Sequence, residues 1–365
     1  MQSNSIAIIG ASSGQLPLVL KARDMGLETH CFSWLENDVC TAVCDCYHQI
    51  SIFSYDEICD VCRSVGVNGI VSNASEETAV AVSEIGYRLG LSVTPPAVIR
   101  LMQNKEEVRM LTAGIDGLAM PKVYTPTEIG NIEFPCVVKP IKGSAKRGVS
   151  YCSGHAELNH AIEYARTVND SYIVEEYISG SEYSVETLSA GGRHQVVQVT
   201  RKVSSGPPHF VELEHHQPAI LDSVVRSKID GITTKILDTL GYTDGAAHIE
   251  IKINGADIYL IEVNPRGGGD HISDTLVAMS TDCDYLKCII EIALGKYNPK
   301  LFHTTAYCGI MYLSAQNGRI KKYFDAPPPP WLVQRVLDNP QLTTATSNYD
   351  RNGYIIYKST EPIEL

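Results

Sequence analysis

Apolar runs and amphipathic stretches alternate over the first quarter of the chain. Ser5–Gly10 (Ser-Ile-Ala-Ile-Ile-Gly) reads as a buried parallel strand and Gln15–Met25 as the helix after it. Leu27–Ser33 is a second strand, and a helix near Tyr55–Val65 leads to another strand at Asn68–Ser72. This alternation predicts a Rossmann-like α/β lobe over about the first 95 residues, punctuated at its end by Thr94-Pro95-Pro96. Its first turn, Gly10-Ala11-Ser12-Ser13-Gly14, lacks Gly-x-Gly-x-x-Gly spacing and so carries no dinucleotide fingerprint. Glu76 and Glu77 suit a helix N-terminus.

Beyond the lobe the period changes. Ala97–Ala113 reads as one helix bearing Lys105, and Cys136–Val138 as a short strand ending in Lys139, with Pro140 blocking its continuation. Tyr172–Leu188 is strand, turn at Ser179-Gly180, strand; Val196–Lys202 is another strand. Ser223–Leu240 is an amphipathic helix stopped by Gly241. A helix near Cys283–Leu294 and strands around Tyr307–Leu313 and Tyr354–Lys358 follow, with Pro327 to Pro330 as a stiff link.

The stretch His248–Ile272 is the most informative. It predicts a hairpin in which Ile249, Ile251 and Ile253 share one face and His248, Glu250 and Lys252 the other. On the second strand Tyr259, Ile261 and Val263 share a face, opposite Leu260, Glu262 and Asn264. Acidic residues are depleted in strands, so Glu250 and Glu262 amid Ile and Val need a reason. A plain wet sheet face is one; a hard-cation site, two carboxylates and an amide oxygen suited to Mg²⁺, is the other. The cation site requires both carboxylates on one face, which an odd-numbered loop provides and a clean two-residue turn forbids.

Two other stretches carry candidate chemistry. Gly143-Ser144-Ala145-Lys146-Arg147-Gly148 offers flexible backbone N–H groups beside cations, as a polyphosphate needs, without the Lys-Ser/Thr end of a Walker A loop. Glu175, Glu176 and Glu182 cluster around the Ser179-Gly180 turn. His215 and His216 lack metal-ligand spacing.

Composition narrows the class. A formal charge of −12 argues against nucleic-acid partners, and the lack of any run of about 18 apolar residues against a membrane span. The start, Met-Gln-Ser-Asn-Ser, has no basic region, so a cytoplasmic protein is expected. Eleven cysteines, six of them between Cys31 and Cys62, fit reduced and mostly buried thiols better than a disulfide framework or a paired zinc motif.

In their order and spacing, ending in Glu-x-Asn-Pro-Arg, these stretches resemble the ATP-grasp superfamily and its carboxylate–amine ligase branch, near the carbamoyl-phosphate synthase large-subunit type and the amino acid ligases. The resemblance implies an α/β chain, α+β within its lobes. Its expected parts are a pre-ATP-grasp lobe (1–95), two ATP-grasp subdomains (96–178 and 179–300) and a small C-terminal lobe (301–365). It implies that Lys105 and Lys139 hold ATP phosphates, with Ser144 and Arg147 in the covering loop. Glu175 would face the adenine amino group, the backbone of Glu176 and Ile178 would line the base, and Glu182 would accept from the ribose. Glu250, Glu262 and Asn264 match ligands of Mg²⁺, with Mn²⁺ an alternative, and Arg266 faces the transferred phosphate. His209, Glu212, His216, Gly268 and Asp270 are substrate candidates. The implied reaction joins a small carboxylate to an amine through an acyl phosphate; a homodimer, bicarbonate-using chemistry of the carboxylase or carbamoyl-phosphate type, and a non-catalytic nucleotide-binding role remain open.

Overall fold

The computed structural model describes residues 4–125, 128–143 and 146–363, so Ser144 lies outside the described residues. Strands β1 (Ser5–Ile9), β2 (Glu28–Ser33), β3 (Cys46–Gln49) and β4 (Gly69–Val71) form a parallel sheet in the order β3-β2-β1-β4. β1 is buried along its whole length, so both faces of the sheet need cover. On one face lie α2 (Tyr55–Val65) and α3 (Glu76–Leu89), which enclose Ala7, Ile9 and Phe32 with Ile58 and Ile85. On the other lie α1 (Leu16–Asp24) and a helix from far along the chain, Tyr285–Ala293. β3 was not foreseen: Cys-Tyr-His-Gln has no apolar alternation, and its place at the sheet edge needs none.

The single helix expected at 97–113 is two, α4 (Pro96–Met102) and α5 (Lys105–Thr112). Asn104 separates them by accepting from the N–H groups of Glu106 and Glu107, an N-cap that starts a new helix at Lys105.

Next come β5 (Leu118–Ala119), β6 (Val123–Tyr124), β7 (Cys136–Pro140), β8 (Ser150–Cys152), α6 (His155–Arg166) and β9 (Tyr172–Glu176). Among the described residues, β6-β9-β7-β8 is an antiparallel sheet backed by α6, with Cys136, Val138, Leu158 and Ala161 between them. Then follow β10 (Ser181–Ala190), β11 (Arg193–Ser204), β12 (Glu212–Gln217), α7 (Ser223–Leu240), β13 (Gly245–Asn254), β14 (Asp257–Asn264), β15 (Tyr307–Leu313), β16 (Leu332–Leu337) and β17 (Gly353–Ser359). These build a mixed sheet in the order β16-β17-β15-β12-β11-β10-β13-β14-β5. Ile229, Ile232, Ile236 and Leu237 of α7 pack on Val185, Val199, Ile249 and Leu260. The Tyr285–Ala293 helix joins this sheet to the parallel one, since Leu188, Ile310 and Ile8 share a core with it.

Two of the bulges in this sheet set which glutamates and histidines share the remaining, polar face. The hairpin turn itself is even: Asn254 opposes Asp257, leaving Gly255 and Ala256 as a two-residue loop. That register alone would separate the two glutamates, contrary to the odd loop expected for a cation site. Instead Ile251 opposes Leu260 while Glu250 opposes Glu262, so Ile261 is an extra residue and the parity is restored within the strand. Leu260 accordingly joins the core with Val263 rather than sharing a face with Glu262. On β12, Val203 opposes Glu214 but Ser204 opposes Glu212, so Leu213 is extra. Glu212 therefore shares a face with Lys202 and His215, while Glu214 and His216 point to the other side.

Candidate active site

Between the β6–β9 sheet and the polar face of the mixed sheet lies an open cavity. Its apolar lining is Val137, Val149, Tyr177, Ile178, Phe210, Ile251 and Ile261. Its charged lining includes Lys105, Lys139 and Lys202 among Glu175, Glu250 and Glu262. Apolar walls suited to a flat base and lysines suited to an anionic tail line the same cavity.

The charges form a connected network. Lys105, at the start of α5, pairs with Glu262 Oε1 (2.8 Å) and donates to the Gly143 carbonyl (3.1 Å). Lys202 pairs with Glu250 Oε1 (2.6 Å) and Glu212 Oε1 (3.2 Å), and Lys146 reaches the same Glu212 oxygen. Lys139 pairs with Glu175 Oε2 (2.5 Å), and Arg109 with Glu175 Oε1 (2.8 Å). Burial alone would raise the Glu175 carboxyl, but Arg109 and Lys139 outweigh it and hold it at about 2. Glu250 and Glu262 are half-buried; desolvation raises their carboxyls, yet Lys202 and Lys105, first among their partners, hold them below the ordinary carboxylate range. Both are ionised at neutral pH. Next to them His248 sits between Glu186 (2.5 Å) and Glu250 (3.3 Å); burial opposes its charge, but Glu186 and Glu250 raise it to about 9.

Of the residues expected at the site, Lys105, Lys139, Arg147, Glu175, Glu176, Ile178, Glu182, Glu250 and Glu262 all line this one cavity, and Glu212 reaches it through Lys146 and Lys202. Both Glu175 oxygens are engaged, so its side chain holds Lys139 in place rather than facing a base. Glu182 pairs with Lys252 (3.0 Å), which also donates to the Ile178 carbonyl (3.0 Å). Asn264 lies beside Glu262 and donates to its Oε2 at 3.4 Å.

Four placements differ from expectation. Arg266 lines a second, smaller cavity near α3 and donates to the Gly267 carbonyl (2.9 Å). His209 is exposed. His216, turned away by the Leu213 bulge, bonds Glu214 (2.8 Å) and Tyr357 (2.9 Å); the residue facing the site is His215, near Asp270 (3.5 Å). Asp270 itself accepts from both terminal guanidinium nitrogens of Arg351 (2.8 and 3.0 Å), which stacks over Tyr312. Gly268 is required by close packing: a Cβ there would meet His248 Nδ1 at 2.7 Å and Glu186 Oε1 at 2.9 Å.

Arg109, Lys202, Glu186, His248 and Arg351 were not singled out by sequence. Only His248 had a signal, as a polar residue on the glutamate face of the hairpin. Arg109 looks like any surface arginine on a helix, yet it is 4% exposed.

The donor set fits a hard cation. Each carboxylate spends one oxygen on a lysine, which leaves Oε2 of Glu250 and Oε2 of Glu262 on a shared face, the latter with only the weak Asn264 contact.

The family of ATP-grasp domains matches residues 132–274, the span from just before β7 through the hairpin to the glycine-rich run. The chain carries an ATP-grasp domain. The ATP-grasp fold extends over the whole chain: the L-amino acid ligase of Bacillus licheniformis superposes with a TM-score of 0.80 at 21% identity, over 99% of this chain and 94% of that one. Biotin carboxylase of Campylobacter jejuni superposes with a TM-score of 0.75 at 17% identity, over 98% of this chain and 88% of that one. In sequence, a formate-dependent phosphoribosylglycinamide formyltransferase of Corynebacterium jeikeium is 28% identical over 284 residues, 72% of this chain and 68% of that protein. Among the described residues no helix is long and apolar enough to cross a membrane.

Proposed function

We propose that this ATP-grasp chain is an ATP-dependent carboxylate–amine ligase acting on an amino acid or small metabolite. The observation that carries the reading is the pairing of Glu250 with Glu262 in a cavity lined by both lysines and apolar side chains. The base of ATP would lie between Val137, Tyr177, Phe210 and Ile261, at the backbone of Glu176 and Ile178, with Glu182 towards the ribose. Lys105 and Lys139 would meet the phosphates, and Lys146 and Arg147 would close over them. Glu250, Glu262 and Asn264 would hold Mg²⁺, which would offset the negative charge of the phosphates.

The residues supply positioning and electrostatics, and no protein nucleophile is needed. A substrate carboxylate oxygen bonds the γ-phosphorus as the bond to the bridging oxygen breaks, releasing ADP. An amine then attacks the acyl carbon and inorganic phosphate leaves. The polar face beyond the hairpin, with His215, Glu212 and the Gly268–Asp270 loop, is where acid and amine would meet the nucleotide. The L-amino acid ligase and the formate-dependent formyltransferase among the similar proteins support such a pair of substrates.

The test is ADP and phosphate release from Mg-ATP with panels of acids (amino acids, formate, bicarbonate) and amines, with hydroxylamine as a trap. Release that requires both an acid and an amine, and a hydroxamate formed from that acid, is the expected result. ADP formation with bicarbonate alone, or tight ATP binding with no turnover, would overturn it.

A further inference from the structure

We propose a second metal site, for a zinc-class divalent ion, formed by Glu28, His30 and Cys46 at the edge of the parallel N-terminal sheet. The register of β2 and β3 sets His30 opposite Cys46, and Glu28, two residues before His30, shares its face. One ligand atom from each of the three lies within 4.8 Å of the others, the one such group of three among the described residues. Around a tetrahedral zinc with bonds of about 2.0–2.3 Å, donors stand roughly 3.3–3.8 Å apart, so small side-chain adjustments close the site.

A second observation points to a ligand. His30 is 3% exposed, yet its Nε2 has no hydrogen-bond partner among the described residues and stands 3.9 Å from Glu28 Oε1. A buried ring nitrogen without a partner is costly unless something occupies it. The other ring nitrogen is taken: His30 Nδ1 lies 3.0 Å from His48 Nε2. If Nδ1 keeps its proton and donates it to His48, the lone pair of Nε2 points into the group, the usual arrangement of an outer partner orienting a metal-bound histidine. An imidazole, a thiol and a carboxylate together suit zinc rather than the all-oxygen preference of magnesium or calcium. Glu28 and Cys46 are half-buried, which leaves the fourth position to water. Cys46 would bind as thiolate and give up its proton. The ion would pin β3, an edge strand paired only to β2, to the rest of the sheet.

The test titrates untagged, chelator-treated full-length protein with Co²⁺. One equivalent should produce a near-ultraviolet thiolate-to-cobalt band and visible d–d bands, both displaced by one equivalent of Zn²⁺, and zinc should raise the Tm. Cys46→Ser should lose the near-ultraviolet band, His30→Gln should weaken cobalt binding at least tenfold, and Cys44→Ser should keep both. The carboxylates of the β13–β14 hairpin have no thiol and give no such band, so the outcome is independent of the proposed ligase activity. No band in the unaltered protein, a band unchanged in Cys46→Ser, or its loss in Cys44→Ser would overturn the site.

Discussion

Glu250 stands directly opposite Glu262 across a hairpin whose two-residue turn would, by itself, put them on opposite faces. The extra residue Ile261 reverses that parity, and Arg109 holds it there by donating to the Ile261 carbonyl at 2.7 Å. The same arginine binds Glu175, and through it Lys139. One buried guanidinium thus ties the carboxylate pair on one sheet to the lysine on the other.

Glu262→Gln removes a charge without changing the side-chain outline. The fold should be retained and Mg-ATP turnover lost, with nucleotide affinity no longer dependent on Mg²⁺. Phosphate release across a magnesium titration checks this, and near-normal turnover would refute the cation assignment.

Replacing Arg109 with Leu strips Glu175 of one cation and leaves the bulge carbonyl unpaired. Removing one partner of a buried ion pair costs about 3–5 kcal/mol. Urea unfolding should show a loss of that order. Lys139→Ala removes the other buried partner of Glu175, so it should also lower stability, and in addition it should weaken ATP binding at least tenfold; unchanged affinity by calorimetry would exclude the lysine from the phosphate site.

His248 gives the protein an alkaline limit. Its folded pKa, about 9, lies above the ordinary 6.5, so its stabilising charge is fully present below about pH 6.5 and is lost as pH rises through about 9. Between those values stability should fall with a slope of up to about 1.4 kcal/mol per pH unit from this group. His248→Gln should flatten that part of the unfolding profile; an unaltered slope would place the titration elsewhere.

The glycine run offers a contrast between neighbours. A Cβ on Gly268 would press on His248 and Glu186, whereas one on Gly269 meets nothing within 4 Å. Gly268→Ala should lower the Tm markedly and disturb the pH profile of His248. Gly269→Ala should leave both near those of the unaltered protein, and equal effects at the two positions would contradict this packing.

The sequence by itself determined the alternating α/β start, the hairpin with its acidic face and the order of the motifs. It also picked out nine of the residues that line the cavity. Those signals are local: period, turn chemistry, and charged residues in strands that have no local reason to hold them. Tertiary structure decided which side chains share a face. Bulges at Ile261 and Leu213 each shift parity by one residue, bringing Glu250 to Glu262 and exchanging His216 for His215, and neither leaves a mark in composition or period. The same holds for Arg109, whose burial depends on contacts 66 and 152 residues away, and for β3, an edge strand defined only by its neighbour.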